Sequence, residues 1–407
     1  MEHKQLFRII KNIFILAVAV YVVCGLFYFL QWEKGIGDEA LFLSDIFYLK
    51  NNGWIAAIEK GISVPYMLVA YPFTFLFEDY IALRFTNILL FLLLLFYFFN
   101  VRNVRYWLFY MLLLFFYSTV GYFLLGTNDT LFIVSLIVVF SETYFILDSH
   151  KKESLLLFGV ALITALFTRA LFFVYLPVVL LSLFFLLKKR KFIFRSLVVP
   201  LILFLALVAV NIPSLQKQGS FSYDQKAPPA GVSSNWAQRQ YYAQLLVNEG
   251  TLLNYNHPSW EVTDLYLAKN GSEALPNSIL KGMTHDPVLT VTEFFKDLFY
   301  ILFYSIRQLG GLLLTVLLFG FYRVLTGKKE IKQLYVPLTV LIMLVVFASI
   351  IISFIELRWL APVFILMLLY YSLLVQKDKI PKIVVSLNYL LITLVSLYGL
   401  YGFFQKI

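Results

Sequence analysis

The sequence predicts an all-α membrane protein with several transmembrane helices. Of its 407 residues, 61% are hydrophobic and only 14% are charged, whereas soluble domains average about 25% charged residues. Apolar runs near the ~20 residues needed to cross a bilayer recur along the chain. The net charge of +10 lies in short basic clusters between these runs. That pattern is typical of membrane topology and does not indicate a nucleic-acid partner.

Eleven apolar segments are candidate transmembrane helices, and two long apolar stretches are interpreted as hairpins. Each of these stretches is interrupted once by charge, at TRA in 168–170 and at ELRW in 356–359. The predicted spans are 9–30, 80–100, 105–124, 131–147, 154–168, 171–187, 194–212, 308–326, 334–355, 359–375 and 383–403.

The distribution of Lys and Arg predicts the orientation of these spans. Cytoplasmic loops are enriched in basic residues, and eleven spans bring every basic cluster to one face, with the N-terminus cytoplasmic. The expected location is a multi-pass position in the bacterial inner membrane. The clusters are Lys4, Arg8 and Lys11; Arg102 and Arg105; Lys151 and Lys152; Lys188, Lys189, Arg190, Lys191 and Arg195; Arg323, Lys328, Lys329 and Lys332; and Lys377, Lys379 and Lys382.

Three regions are predicted along the chain. Residues 1–212 form an N-terminal transmembrane module, residues 213–307 an extracytoplasmic segment, and residues 308–407 the C-terminal transmembrane helices. The middle segment is rich in Pro, Ser and Asn at first, which favours a small subdomain or a mobile lid. From about residue 285 its apolar residues follow helical spacing, and we expect a helix that begins at the membrane interface.

The composition argues against metal and disulfide chemistry. Cys24 is the only cysteine and lies in the first apolar run, so no disulfide or Cys-based metal site is expected. His257 and His285 lie near acids in the middle segment, but their spacing matches no metal template. No Gly-rich phosphate loop is present. A metal is therefore not required by any pattern here, although a divalent ion remains compatible with the acids.

Four acids lie at the predicted outer ends of spans. Asp38 and Glu39 follow the first span, Asp129 follows the third, and Glu356 lies in the ninth-to-tenth turn. A carboxylate at the depth of the lipid headgroups can accept a proton from a hydroxyl group. The alternative for Asp38 and Glu39 is ordinary loop solvation, and the alternative for Asp129 is a helix cap.

Four basic residues occur at the same predicted depth. Arg169 and Arg358 interrupt the two long apolar stretches, Lys60 lies in the first outer loop, and Arg84 opens the second span. Arginine binds phosphate through paired hydrogen bonds. Alternatively, the arginines snorkel to headgroups, and Lys60 forms a surface pair with its neighbour Glu59. The alternatives for Arg84 are that it marks a span edge or pairs with Glu78 or Asp79.

Five segments together resemble the polyprenol-phosphate-sugar glycosyltransferases of the GT-C fold, a group that includes protein O-mannosyltransferases and lipid A aminoarabinose transferases. The segments are GDEALFLSDIFYLKNNGW at 37–54, IEKGISVPYMLVAYPFTFLFEDYIALRFTNIL at 58–89, GTNDTLF at 126–132, FTRALFFVYLP at 167–177 and ELRWLAPVFILML at 356–368. The resemblance touches residues 1–190 and 285–375 and leaves 213–284 uncovered. It departs from the family at Val64-Pro65-Tyr66, where His-Pro-Pro is frequent, and at Trp359, where Tyr is usual.

The resemblance implies an integral-membrane glycosyltransferase. Asp38 would be the general base, with Glu39 and Asp129 positioning the acceptor or sugar. The substrate-binding residues would be Lys60, Arg84, Arg169, Glu356 and Arg358, of which Lys60, Arg169 and Arg358 would hold the donor phosphate.

The implied donor is a polyprenyl-phosphate-linked sugar, and the implied acceptor is a hydroxyl or phosphate of a lipid, glycan or protein at the extracytoplasmic face. Membrane lipid is the expected environment. Two alternatives remain open. One is a transporter or flippase for lipid-linked sugars, and the other is an inactive GT-C relative.

Overall fold

A computed structural model describes residues 3–189, 192–223, 231–327 and 331–405, and 80% of it is helical. Arg190, Lys191, Lys328 and Lys329 of the predicted basic clusters lie outside the described residues. The helices of the first half are α1 (His3–Leu30), α2 (Glu39–Lys60), α3 (Val64–Ala70), α4 (Asp79–Phe96), α5 (Trp107–Val120), α6 (Asp129–Asp148), α7 (Leu156–Thr168), α8 (Leu176–Lys189), α9 (Val198–Val210) and α10 (Ile212–Gln218).

The second half is also helical. Its helices are α11 (Trp236–Asn248), α12 (Trp260–Asn270), α13 (Ile279–His285), α14 (Pro287–Leu309), α15 (Leu312–Leu325), α16 (Ile331–Ser349), α17 (Ala361–Gln376) and α18 (Lys382–Phe404). The strands β1 (Glu153–Ser154) and β2 (Phe192–Ile193) form a short parallel pair in which Glu153 is opposite Phe192. Short 3-10 turns occupy Tyr71–Phe75, Tyr122–Leu124, Ala170–Tyr175, Phe194–Leu197, Ser272–Ala274 and Leu357–Leu360, and a π-helical turn occupies Tyr97–Val101.

Six helical segments in the described part of the chain are long and apolar enough to cross a bilayer, and the number rises to eight if two bent pairs each count as one span. The chain is therefore an integral membrane protein with several transmembrane helices. The six are Gln5–Leu30, Asp79–Val101, Asp129–Asp148, Ala170–Lys189, Leu357–Gln376 and Lys382–Phe404, and the bent pairs are Phe194–Val210 with Ile212–Gln218 and Pro287–Leu309 with Leu312–Leu325.

The predicted count of eleven spans is not supported by these helices. Three predicted spans correspond to the shorter apolar helices Trp107–Val120, Leu156–Thr168 and Gln333–Ser349. A helix of 14 residues is only ~21 Å long, less than the ~30 Å of a bilayer core. α5 ends at Gly121, whose φ is 57°, before the predicted end of its span at residue 124. α7 ends at Thr168, as predicted, where Arg169 is extended with φ −149°, but it contains only 13 residues.

Burial separates central spans from peripheral ones. The segments Asp129–Asp148 and Leu357–Gln376 are each 83% buried, whereas Gln5–Leu30 and Lys382–Phe404 are 33% and 39% buried. The peripheral spans α1 and α18 pack against one another, and the Phe14 and Tyr389 rings stack with centroids 4.5 Å apart. The first and last helices thus present much of their apolar surface outward, as lipid-facing helices do.

The contacts divide the described chain into two units. The larger unit contains the residues up to Tyr223, Ser305–Val340, and the chain from Ala361 onward; the smaller unit runs from Gly231 to Tyr304 and includes Leu341–Leu360. The predicted regions 1–212, 213–307 and 308–407 were drawn on topology and stay predictions.

The smaller unit is helical where the sequence analysis expected a polar subdomain or lid. Asn235 and Gln238 form a reciprocal capping box that begins α11, and the Ser259 hydroxyl accepts a hydrogen bond from the Val262 amide at the start of α12. Such caps satisfy backbone N–H groups that the first helical turn leaves unpaired. The hydrophobic core of the smaller unit contains Tyr241, Leu267, Leu275 and Ile351.

Candidate functional site

Glu39 is the most completely buried acid among the predicted site residues. It begins α2 and has no exposed surface. Its carboxylate accepts hydrogen bonds from the Gly35 amide at 2.8 Å, the Gly126 amide at 2.9 Å, and the Arg84 Nε and Nη2 atoms, each at 2.8 Å. This carboxylate therefore joins the loop between α1 and α2, helix α4 and the loop that precedes α6.

Arg84 completes this arrangement from α4. Its Nη1 and Nη2 atoms also donate to the carbonyl oxygens of Trp32 at 2.8 Å and Glu33 at 2.7 Å. Burial raises the pKa of the Glu39 carboxyl, but the hydrogen bonds from Arg84 and from the Gly126 and Gly35 amides outweigh it and hold that pKa below its ordinary value. The pair is thus a charged, hydrogen-bonded buried ion pair.

The loop that precedes α6 lies directly against α4. A Cβ atom on Gly126 would come 2.3 Å from the Leu83 Cβ atom, so only glycine fits this close approach. One turn beyond Leu83, the buried Asn87 amide donates to the carbonyl oxygens of Leu125 and Thr127. The backbone at 125–127 is therefore held by side chains from α4 and by Glu39.

Asp129 and Arg169 form an ion pair at the end of this loop. Asp129 is only 2% exposed, while Arg169 follows the last residue of α7. The neighbouring Asn128 amide donates to the Thr168 carbonyl oxygen at 3.2 Å, and the Ser63 hydroxyl donates to the same oxygen at 2.9 Å. The start of α6, the end of α7 and the start of α3 therefore meet here.

These interactions make one group of residues, which we call the polar cluster: Glu39, Arg84, Asn128, Asp129 and Arg169. Gly126 and Asp129 are three residues apart, so their Cα atoms are separated by at most about 11 Å. The cluster lies within the larger unit and joins four of the five segments that carry the family resemblance.

Asp38 stands directly before this cluster. It occupies the N-cap position of α2, has no capping hydrogen bond from its side chain, and is partly exposed. The hydroxyl of Tyr122 lies 3.5 Å from the position of a Cβ atom on the adjacent Gly37. The partly exposed carboxylate at residue 38 thus borders the buried one at residue 39, so the two adjacent acids have different environments.

Lys60 lies apart from these contacts, at the end of α2. Its Nζ atom donates to Asp45 Oδ1 at 3.1 Å and lies 4.7 Å from the centre of the Tyr48 ring. Fifteen residues of straight helix would span ~22 Å, so this contact depends on the non-helical Gly53, whose φ is 78°. Burial raises the pKa of Asp45, and the hydrogen bond from Lys60 opposes that shift.

Glu356 and Arg358 belong to the smaller unit. Arg358 Nε lies 2.5 Å from Glu356 Oε2, and Arg358 is 6% exposed. Both lie in the interval between α16 and α17, where the sequence predicts a turn between two spans. They interact with each other, and their predicted role in phosphate binding stays a prediction.

No family model matches the chain, and comparisons with curated proteins and with solved structures also find no match. The family resemblance therefore rests on the five segments quoted above. The residues described contain no group of three or more His, Cys, Asp or Glu side chains arranged to hold a metal ion.

Glu142 is a buried acid that is not among the predicted site residues. Glu142 on α6 has no exposed surface and accepts hydrogen bonds from Tyr97 Oη and Arg102 Nε, each at 2.6 Å. Arg102 had been interpreted only as part of a basic cluster that sets orientation. The signal was available, because Glu142 interrupts an otherwise apolar predicted span, and ionisable residues inside spans are often functional.

Proposed function

We propose that the chain is an integral-membrane glycosyltransferase with a GT-C-like architecture. It would transfer a sugar from a polyprenyl-phosphate-linked donor to a hydroxyl or phosphate of a lipid, glycan or protein at the extracytoplasmic face. The observation that carries this proposal is the polar cluster, which joins the Asp-Glu loop, the Asn-Asp loop and Arg169 beside the partly exposed Asp38.

In this scheme Asp38 accepts the proton of an acceptor hydroxyl. The freed oxygen attacks the sugar carbon that is bonded to phosphate, the bond from that carbon to the phosphate oxygen breaks, and its electron pair stays on the lipid phosphate. Arg169, a member of the polar cluster, would stabilise the charge that grows there. A partly exposed carboxylate can meet a substrate, whereas the hydrogen-bonded Glu39 is suited to hold the loop in place.

The scheme needs no nucleotide site and requires no cofactor. The leaving group is a lipid phosphate that stays in the membrane, so the absence of a Gly-rich loop from the sequence fits the proposal. A divalent ion is compatible with these acids but is not indicated. We also propose that the N-terminus is cytoplasmic and that the membrane is the bacterial inner membrane.

The decisive experiment compares Asp38→Asn with Asp79→Asn in purified protein reconstituted into lipid. Asp79, on α4, forms a partly exposed ion pair with Lys50, so its variant controls for removing one carboxylate. Radiolabelled polyprenyl-phosphate hexoses and pentoses are supplied with extracted membrane acceptors. Release of free polyprenyl phosphate and labelling of the acceptor are both measured.

We expect Asp38→Asn to lower both products by about 10²–10⁴-fold, the usual contribution of a general base. Asp79→Asn should retain most of the activity. A wild-type protein that produces neither product with any donor contradicts the proposed function. A wild-type rate in Asp38→Asn contradicts only the assignment of the base.

A second candidate is a transporter of lipid-linked sugars, which Glu142 specifically favours. Ionisable residues within transmembrane segments mark transport pathways in many transporters, and Glu142 lies within the candidate span Asp129–Asp148, paired with Arg102. Transporter activity would move a labelled lipid-linked sugar across vesicles without releasing lipid phosphate. The two readouts therefore separate the candidates.

A further inference from the structure

The exposed surface of α14 carries a continuous apolar stripe. Its large residues are spaced three or four positions apart, so they share one helix face. They are strongly exposed, from 54% for Phe303 to 77% for Val288. The stripe consists of Val288, Val291, Phe295, Phe299 and Phe303.

The opposite face of α14 is polar and is bound to the smaller unit. Glu293, which is 3% exposed, accepts hydrogen bonds at 2.9 Å from the amides of Gln244 and Asn248 on α11. Lys296 Nζ donates to Glu293 Oε1 at 2.8 Å. The helix is therefore amphipathic, with one face fixed to α11 and the other exposed.

The course of the chain after α14 indicates what covers the stripe. The helix axis bends by 113° at the break between α14 and α15. The apolar surface continues along α15, where Leu314, Leu318 and Phe321 are 49–66% exposed. Two helices that meet at this angle cannot both lie along the membrane normal, and α14 has the amphipathic pattern of a helix that lies in the membrane plane.

We propose that α14 lies along the bilayer surface with its stripe inserted among lipid acyl chains, and that it seats the smaller unit on the membrane. Amphipathic helices bind interfaces in this way, with the apolar face in the acyl boundary and basic residues at its edge. Lys296, whose amine donates to Glu293, keeps 56% of its side chain exposed at the edge of the stripe, the position that basic residues occupy in such helices. This inference does not rest on the glycosyltransferase proposal.

The test measures the depth of single labels in the membrane. Replacing Cys24, the only cysteine, by serine allows one cysteine to be introduced at a time. Val291→Cys, Phe295→Cys, Phe299→Cys and Phe303→Cys are labelled with an environment-sensitive fluorophore in the full chain. The protein is reconstituted into phosphatidylcholine–phosphatidylglycerol vesicles. Two kinds of quencher are used. Lipid-bound nitroxides are placed on headgroups, on shallow acyl carbons or on deep acyl carbons, and iodide is dissolved in the water.

Two positions calibrate the readings. Asn254→Cys, in an exposed loop of the smaller unit, reports the aqueous limit, and Leu314→Cys reports the apolar face of α15. We expect the four stripe labels to be quenched most by shallow acyl nitroxides, at similar depth, and to be several-fold less sensitive to iodide than the Asn254→Cys label.

Three results would overturn the inference. Labels that behave like Asn254→Cys mean that the stripe faces water. A depth that increases steadily from 291 to 303, a rise of ~18 Å along a helix, means that α14 crosses the membrane. Labels shielded from both iodide and nitroxides mean that protein covers the stripe, as a second copy of the chain would. Unfolding temperatures of the labelled variants verify that each remains folded.

Discussion

Glu39 and Arg84 are 45 residues apart in the chain and are joined by two hydrogen bonds of 2.8 Å. Through the Gly35 and Gly126 amides, the same carboxylate also reaches two loops. An ion pair with this many backbone contacts fixes the position of the first turn of α2. Asp38, the residue directly before it, therefore has a defined backbone position.

The first prediction concerns the stability that this pair provides. Glu39→Gln leaves the guanidinium of Arg84 buried without a countercharge, and breaking a buried pair in this way typically costs about 3–5 kcal/mol. We expect a large fall in the unfolding temperature in detergent. This temperature is measured by heating the protein and recording the fraction that remains monodisperse. Glu59→Gln is the matched control.

Glu59 pairs with Lys217 at the same distance, 2.8 Å, but in an exposed position. Exposed pairs contribute little because water solvates each partner when the other is removed. Equal losses of stability in Glu39→Gln and Glu59→Gln would contradict the argument that burial makes the difference.

The second prediction concerns pH. The folded pKa of Glu39 is lowered, and a carboxyl with a lowered pKa binds fewer protons in the folded state than in the unfolded state. Its contribution to stability is present above the unfolded pKa of about 4.3 and is lost as pH falls through the folded pKa. The unfolding temperature should fall less steeply below about pH 5 in Glu39→Gln than in wild type. Parallel pH profiles would contradict this.

The third prediction is an asymmetry between Asp129 and Arg169. The Asp129 side chain is 4% exposed and that of Arg169 is 22% exposed. Arg169→Gln leaves a buried carboxylate without its cation, whereas Asp129→Asn leaves a cation that water can reach. We therefore expect Arg169→Gln to destabilise the protein more. The double variant should show a coupling of about 0.5–3 kcal/mol, and strictly additive effects would argue against the pair.

Many helices of the larger unit are predicted by the apolar pattern of the sequence. The incorrectly predicted spans have local causes. Segments such as 9–30, 131–147 and 383–403 lie within helices that the structure also identifies as candidate spans. The count failed where apolar runs form helices that are too short to cross a bilayer. α5 stops at Gly121 through backbone conformation, before its predicted end at residue 124, and α7, which ends at Thr168 as predicted, contains only 13 residues.

The sequence predicts several residues of the candidate site, but not which of them form ion pairs with one another. Asp38, Glu39, Asp129 and Arg169 stand out because charge at the end of an apolar run is unusual. The pairing of Glu39 with Arg84 spans 45 residues of chain, and sequence distance carries no information about such a contact. The sequence predicts Arg84 as a substrate-binding residue, with a span edge or a pair with Glu78 or Asp79 as the alternatives, and Glu39 is not among those partners.

The fourth prediction concerns Glu142, Arg102 and Tyr97. Tyr97→Phe removes one hydrogen bond from a carboxylate that keeps Arg102, so it should cost only about 1 kcal/mol. Arg102→Gln removes the countercharge and should cost about 3–5 kcal/mol. Unfolding temperatures of the two variants measured in the same lipid test this order. A greater loss in Tyr97→Phe would show that the hydroxyl group, and not the cation, stabilises Glu142.

The last prediction tests the close approach of Gly126 to α4. An alanine Cβ would lie 2.3 Å from the Leu83 Cβ atom, so Gly126→Ala must push the loop away from α4 and lengthen the bond from the backbone amide to Glu39. Overpacking of this kind typically costs about 1–3 kcal/mol. Gly402→Ala is the matched control, because nothing lies within 4 Å of its Cβ position and alanine favours the helix there. We expect a lowered unfolding temperature for Gly126→Ala, and no loss for Gly402→Ala.

Adding Leu83→Gly to Gly126→Ala removes the opposing Cβ atom and should relieve the contact with the new methyl group. The double variant should therefore lose less stability than the sum of its single variants. Simple additivity would mean that the loop does not depend on this contact.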